Sequence, residues 1–479
     1  MSGPDVDGPG SWAELAALGK LTLSLLQNTD WVARRVETVS VVDNHTLERH
    51  VTLDVDGGVL QELVKKAGAD GTKQVLVPLA ILEKSLFLDM DVRDAGGCAI
   101  PVSTSEDDSR AAQGALLASL AKDDADVTTL SPAILKTIYA AARCFPDEND
   151  RSALLNPSQT TSTISAWSLA ADLSGHAGDA VLWNQLLEQH EDFWSLLVNL
   201  TLRFMLMTPV KIDDGTTIIK FRYIEHQQAS DLRFRDRLGI RSYSAMLVSA
   251  PAVAHARREH LHLVAPDGMC LDSVYLWDDS QGPLVVGRRA KPGPSNVTYQ
   301  RRLTPERASI YTSGIADGSY VMAFALRPKR NGFLRPSQFT LLASLILLLV
   351  GATMELIDRR LSASSGSHTE AAVAVLLVLP SLMSAYLANQ GEHALLSDLL
   401  RLPRALVALS AYSNIIAGGA LVLGVSGTAL SMWWFGAAAF TIAVFIQLQV
   451  TAGQSFRSTR DVRKKALETQ EMSVVILND

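Results

Sequence analysis

Apolar and polar positions are distributed unevenly along the chain. Residues 336–455 carry four long apolar stretches, Ser337–Met354, Ala371–Gln390, Ala405–Ser426 and Leu430–Val450, separated by short polar loops. The first runs for 18 residues without a charge. As a helix rising about 1.5 Å per residue, it covers most of a hydrocarbon core about 30 Å thick. One such run is compatible with a buried core helix; four in succession predict a polytopic membrane domain. Pro380, inside the second stretch, predicts a kink unless neighbouring groups satisfy the carbonyl it frees.

Residues 1–335 alternate instead. Ser11–Glu14 has the spacing of a capping box ahead of Leu15, Leu18, Leu25 and Leu26, which predicts a first helix. Strands are expected at Arg35–Asp43 and Thr46–Asp56 around Asn44–His45, with Val51, Leu53 and Val55 alternating with Thr52 and Asp54. Gln74–Leu82 contains Pro78 and reads as an edge or bulged strand. Leu86, Leu88, Met90 and Val92 alternate with Asp89, Asp91 and Arg93, and Gly96–Gly97 offers a turn towards Ala99–Val102. Helices are predicted over Ala111–Lys122, Ser131–Cys144 (Pro132 in its first turn) and Asp179–Asn199, with a Thr/Ser-rich loop at Asn156–Ser165. Phe204–Ile212 and Thr216–Glu225 flank Asp214–Gly215 and predict a hairpin, with Ile219, Phe221 and Tyr223 on one face. His260–Val264, Leu271–Trp277, Ser309–Thr312 and Tyr320–Leu326 are further strands, with turns at Pro266–Asp267–Gly268 and Asp317–Gly318.

The fold class this predicts is α+β: a cytosolic β-rich, sandwich-like region with a helical insertion, followed by a C-terminal four-helix transmembrane bundle. The expected segments are 1–110 (first helix and β-rich part), 111–200 (mainly helical), 201–335 (antiparallel and sandwich-like), 336–455 (four spans) and 456–479 (cytoplasmic tail).

Charge adds orientation. Of 43 Lys/Arg and 50 Asp/Glu, residues 336–479 hold nine of each, so the net charge of −7 sits in 1–335. That acidic balance excludes a general nucleic-acid binder. Arg327, Lys329, Arg330 and Arg335 precede the first span, Arg401 and Arg404 precede the third, and Arg457, Arg460, Arg463, Lys464 and Lys465 follow the fourth. These 11 face only Arg359 and Arg360 in the opposite loops, which predicts both termini and the large N-terminal part in the cytosol of an inner-membrane protein. Arg327, Lys329 and Arg330 would also attract anionic headgroups, by about 1 kcal/mol each. Cys98, Cys144 and Cys270 are odd in number and far apart, as expected of buried thiols in a reducing compartment. Met1–Gly10 lacks the basic and apolar regions of a signal peptide. The Asn-x-Thr sites at Asn44, Asn199 and Asn296 are then chance matches.

Within the spans, Ser410, Asn414 and Gly418 recur every four residues, as do Ala420, Gly424 and Thr428. Such rows suit helix packing, either within the chain or between subunits. Glu355 and Asp358 are expected at the interface, paired with Arg359 and Arg360, and Trp433 and Trp434 in an aromatic belt. No span has a charge near its middle, which argues against a proton-coupled transporter or a voltage sensor. Gly391–Arg404 is amphipathic and reads either as an interfacial helix or as an extension of a span.

Nothing in the sequence carries catalysis. Phosphate-binding, nucleotide-binding, nucleophile-elbow and metalloprotease motifs are all missing. His255, Glu259, His260 and His262 form the densest polar cluster; on a strand, His260 and His262 share a face, a spacing that seats a metal if a third ligand joins them. Surface or hydrogen-bonded histidines are the expected reading, and no catalytic, cofactor or metal residue is assigned. Glu392–His393 reads as a solvated loop rather than a proton relay, and Asp89 with Asp91 as the wet side of a strand.

The segments RRVETVSVVDNHTLERHVTLDV, VLVPLAILEK, LRPKRNGFLRPS and ANQGEHALLSDLLRLPRALVALSA together resemble uncharacterised multi-pass membrane proteins of actinobacteria. The resemblance spans most of the chain and implies a shared architecture, a cytosolic β-rich domain followed by C-terminal spans. It implies no activity and no functional residue. The expectation is a non-enzymatic membrane protein presenting a binding, scaffold or sensor domain to a cytosolic partner. The alternative is an oligomeric channel or effector gated by that domain.

Overall fold

The computed structural model describes residues 9–43, 46–69, 73–84, 88–123, 125–144, 177–212, 215–226, 244–249, 256–278, 282–285, 298–313, 320–358, 382–383, 386 and 393–453. The element order begins α1 (Pro9–Gln27), β1 (Val32–Val41), β2 (Thr46–Asp56), α2 (Gly57–Lys66), β3 (Gln74–Glu83), β4 (Leu88–Asp94), α3 (Ser105–Lys122) and α4 (Pro132–Arg143). It continues with α5 (Ala177–Gln189), α6 (Glu191–Leu202), β5 (Arg203–Lys211), β6 (Thr216–His226), β7 (Ser244–Ser249), β8 (Arg258–Val264), β9 (Met269–Asp278), β10 (Gly282–Val285), β11 (Thr298–Leu303), β12 (Arg307–Ser313) and β13 (Tyr320–Pro328). The apolar helices follow: α7 (Arg335–Asp358), the short α8 (Ala394–Leu399), α9 (Arg401–Val422) and α10 (Gly427–Gly453).

A seven-stranded sheet, ordered β11-β12-β8-β1-β2-β6-β4, organises the first 335 residues. β1 and β2 form the hairpin expected around Asn44–His45, in register from Val41–Leu47 to Arg34–Asp54, with a shift before Val32–Val55. β8 adds to β1 in parallel, so strands from 201–335 sit beside strands from 1–110 in one sheet. Strand alternation gives this sheet one apolar face. One end of that face, with Val39, Val41, Leu47, Leu261, Leu263 and Ile310, packs on the four-stranded sheet β10-β9-β13-β7 through Val274, Met322, Phe324 and Leu326. The other end, with Val51, Leu53, Val55, Ile219, Phe221 and Tyr223, packs on the β3–β5 pair and on α1 and α2.

Behind β5, Met205 and Met207 face a helical layer of α3, α4, α5 and α6, whose core includes Leu116, Leu120, Ile138, Phe193 and Leu197. α1 crosses α3 where Gly19 meets Gly114; a Cβ on Gly19 would lie 2.1 Å from the Gly114 carbonyl oxygen, so the close approach needs glycine. α3 has a reciprocal Thr104–Asp107 capping box, and α4 is capped by Ser131 with Pro132 in its first turn, as its sequence predicts.

Several expectations are corrected. α1 starts at Pro9, ahead of Ser11, so Ser11–Glu14 is not its N-cap. Phe204–Ile212 and Thr216–Glu225 do not form a hairpin: β5 pairs with β3, while β6 pairs with β2 and β4 in the large sheet. Both β5 faces are apolar, and burial between two layers outweighs the local turn signal. The single helix expected over Asp179–Asn199 is two, divided at His190. β3 has a register shift between Pro78 and Ala80, the bulge the proline implied. β4 is bulged between Leu88 and Asp91, with Asp89 in the left-handed region, so Asp89 and Asp91 do not alternate as one regular wet face.

Three helices, over Asn331–Ile357, Arg401–Val422 and Gly427–Ala452, are long and apolar enough to cross a membrane. They match the first, third and fourth apolar stretches. The second, Ala371–Gln390 with Pro380, lies outside the described residues save Leu382, Met383 and Tyr386, and so does the Asn156–Ser165 loop.

Candidate functional site

Among the described residues, the β-rich head meets the apolar helices through an extensive buried cluster. β13 ends at Pro328, and the chain is pinned at once: the Lys329 amide donates to the Gly268 carbonyl at 2.7 Å and its Nζ to Glu306 Oε1 at 2.6 Å. The chain then bends through Arg330–Leu334, with Gly332 out of helical geometry, into α7. Phe333 and Leu334 point back into the sandwich core. α8 completes the wedge, with Leu395 and Leu400 fully buried and Leu396 3% exposed. Gly268 turns with φ +78°, and a Cβ there would lie 2.6 Å from Leu396 Cδ2, so glycine serves both the turn and the contact. Val407 of α9 and Val444 and Leu448 of α10 belong to the same cluster as Phe324 and Leu326 of the sandwich. Head and helices therefore share one apolar core. Of the amphipathic Gly391–Arg404 stretch, Leu395, Leu396 and Leu400 are buried against protein, and Arg401–Arg404 form the first turn of α9. Arg404 donates to Ser397 Oγ at 3.4 Å and lies 5.7 Å from the Phe333 ring centroid.

Inside the bundle, some buried polar groups pair across helices. Ser410 and Asn414 of the first small-residue row meet Thr441 of α10 at 3.1 and 3.5 Å. That row packs within the chain. Gly424, by contrast, lies in the turn after α9 with φ +79°, and Thr428 is exposed, so the second row is no helix seam. Glu355 is 1% exposed and accepts the Gly427 amide at 2.8 Å, capping α10; it is not a solvated interfacial carboxylate. Trp434 is likewise internal: its indole donates to the Ala417 carbonyl at 2.8 Å, and its ring lies where a Gly351 Cβ would be. Trp433 is exposed, as a belt residue should be. An apolar outer stripe on α7 includes Phe339, Leu342, Ile346, Val350 and Ile357.

A second feature lies between the sandwich core and the core under β3–β5. Glu37 is 2% exposed and accepts from Arg49 Nη1 at 2.5 Å and Arg35 Nη2 at 3.4 Å. Arg49 also donates from Nε to Glu225 Oε2 at 2.6 Å, and Arg35 reaches the Leu79 carbonyl of β3 at 3.5 Å. Burial alone would raise the Glu37 pKa, but Arg49 and Arg35 outweigh it and hold the carboxyl below its usual range. Burial pushes the neighbouring Tyr223 hydroxyl up, partly offset by Arg49.

A third cluster joins remote segments. Lys84, at the end of β3, donates from Nζ to the Ala142 carbonyl at 2.5 Å and from its amide to Leu202 at 3.0 Å. Asp108 of α3 accepts the Met205 amide at 3.1 Å. Cys144 caps the end of α4 and donates from Sγ to the Ala141 carbonyl at 3.2 Å. Burial pushes Asp108 up to about 7, against the Met205 amide and Lys84. Burial also lowers Lys84, with Cys144 and Asp108 partly offsetting it. Sequence reading missed Lys84 and Asp108, because Asp108 looks like one more acidic residue in a helix's first turn.

The residues singled out in sequence fare differently. His260 and His262 do share a face of β8, but both pack edge-on against Tyr311, and His262 Nδ1 meets Ser309 Oγ at 2.9 Å. Burial, then Arg307 and His260, lower His262 to about 4. Among the described residues no group of three metal-ligating side chains occurs. Glu259 is buried on the opposite, inner face of β8; His255 and Glu392 lie outside the described residues. Asp91 pairs with Arg93 at 2.7 Å. Cys98 is exposed, Cys144 half-buried and Cys270 buried, so the expectation of a buried thiol holds fully only for Cys270. No protein-family model matches the sequence, and no curated protein is significantly similar to it.

Proposed function

We propose that this is an inner-membrane protein of four spans, with both termini cytoplasmic, that presents a non-catalytic binding, scaffold or sensor domain coupled rigidly to its membrane helices. The observation that carries this reading is the apolar core shared by sandwich and bundle, from Phe324 and Leu326 through Leu395 and Leu400 to Val407 and Leu448. A mere tether would need no such core. A second crossing is supported by the positions of the chain on either side of it. α7 begins against the head, where Leu341 joins the shared core, and ends where Glu355 caps α10. Leu395 is back against the head. These positions support a return crossing between Asp358 and His393, for which Ala371–Gln390 is the apolar stretch available. The bias of Lys and Arg supports a cytosolic head.

The channel alternative rested on the small-residue row of the third span. That row closes on Thr441 of the same chain, which favours an anchor over a pore. The test combines alkaline-washed membranes, reporters fused at Arg360 and after Asp479, and ion flux through vesicles holding the purified chain. Membrane retention, a cytosolic signal only after Asp479 and no flux are expected. Release into the supernatant, a reversed reporter pattern or ligand-independent flux would each overturn the reading.

A further inference from the structure

We propose that Cys144 and Lys84 are an oxidation-sensitive pair: a peroxide oxidises the Cys144 sulfur, and the Lys84 amine then closes a covalent S–N bond. The two side chains converge on one rim. The last carbonyls of a helix have no partner within it, and here the consecutive carbonyls of Ala141 and Ala142 receive the Cys144 thiol at 3.2 Å and the Lys84 ammonium at 2.5 Å. Exposure is divided usefully between them. Cys144 is half-buried, whereas Lys84 is only 5% exposed.

The proton inventory fits this order of events. While the sulfur is a thiolate, its charge favours the ammonium form of Lys84. The thiolate attacks one peroxide oxygen and the O–O bond breaks. Sulfur is oxidised to a neutral sulfenic acid, and the departing hydroxide takes a proton from the Lys84 ammonium and leaves as water. The thiolate charge is then gone, and Asp108 is the negative partner that remains. Burial now favours the neutral amine, which is the nucleophilic form. Its nitrogen attacks the sulfenic sulfur, the S–O bond breaks, and water leaves with an amine proton. Overall one thiol, one amine and one hydrogen peroxide give one S–N bond and two waters. The bond would tie the end of β3 to the end of α4, locking the helical layer onto the β3–β5 pair, and a thiol reductant would reopen it. The inference does not depend on how the spans are threaded.

The experiment treats the purified full-length chain with hydrogen peroxide, digests it without reductant and searches for the joined peptides by mass spectrometry. The expected product is a pair containing Lys84 and Cys144, two hydrogens lighter than the separate peptides and released by dithiothreitol. Replacing Cys98 and Cys270 by Ser should leave its yield unchanged. Lys84→Arg keeps the cation but cannot close the bond, so a dimedone probe should trap more sulfenic acid at Cys144. Oxidation of Cys144 in the unaltered chain with no joined pair would overturn the proposal. So would a pair heavier by an oxygen atom, or an unoxidised Cys144. The wild-type measurement needs no variant to fold.

Discussion

The sandwich core has two boundaries, and they are built from opposite chemistry. Towards the bilayer it runs without interruption into Phe333, Leu395, Leu396, Leu400 and the inner sides of α9 and α10. Towards the β3–β5 half of the head it stops at Arg35, Glu37 and Arg49, although the same strands carry on. Along β2 the inward side chains read Leu47, Arg49, Val51, so one ladder passes from core to charge to core. An apolar boundary is forgiving of detail, because burial is non-directional. A charged one is not: each buried ion must be desolvated, and only close partners offset that cost. The difference suggests that the membrane side is built for attachment and the charged seam for a single relative placement of the two halves.

The sharpest way to break this contrast is to remove the central anion. Glu37→Leu leaves Arg35 and Arg49 facing each other in a buried site, with Glu225 left to Arg49. A loss of about 3–5 kcal/mol is expected, read as a large drop in the thermal unfolding midpoint in detergent. A change near zero would show that the seam is wet or rearranges. Leu395→Ala at the other boundary, a site buried to 0%, should cost about 3 kcal/mol through lost contacts and a residual cavity. It should also speed amide exchange in both the sandwich and the start of α9. Exchange confined to one side would mean that the two cores are not cooperative.

These boundaries also show which parts of the fold the sequence discloses. The spans of α7, α9 and α10 are legible because length and polarity alone decide them. The β1–β2 hairpin is legible because its alternation is regular. The seam has a parity signal that was available: Arg49 stands in phase with Leu47 and Val51, on the apolar side of β2. Glu355 and Trp434 are misread because they sit where a span meets water, and only the packing of α10 against α7 decides whether such a residue faces lipid, headgroups or protein. The same holds for β5 and β6, whose intervening turn signal is local while their pairing is not. Lys84, Asp108 and Cys144 belong to three separate segments and have no shared pattern, so only tertiary structure assembles them.

A pH series sharpens the contrast without touching either boundary. Asp108 titrates near 7 in the folded chain, well above the ordinary carboxylate value of 3.8. Between about pH 4 and 7 the folded state therefore holds a proton that the unfolded state has lost. Stability from this group is fully present below about 4 and falls as pH rises, by about 1.4 kcal/mol per pH unit. Asp108→Asn should remove that slope while keeping the Met205 hydrogen bond. An unchanged slope would mean that Asp108 ionises freely.

The smallest effect is expected at the far end of the bundle, away from both boundaries. Glu355→Gln keeps an oxygen for the Gly427 amide but loses the charge that favours a helix N-terminus. It should cost about 0.5–1 kcal/mol, whereas Glu355→Ala, which removes the acceptor as well, should cost about 1–2 kcal/mol. The order of the two is the informative part. If Gln were as damaging as Ala, the charge itself would matter, as expected of a functional ionisable group within a span. If Gln is the milder change, the residue is a clasp that holds the α9–α10 turn against α7. The stability of the bundle then rests on packing at both ends, as the apolar boundary already implies for the side that meets the head.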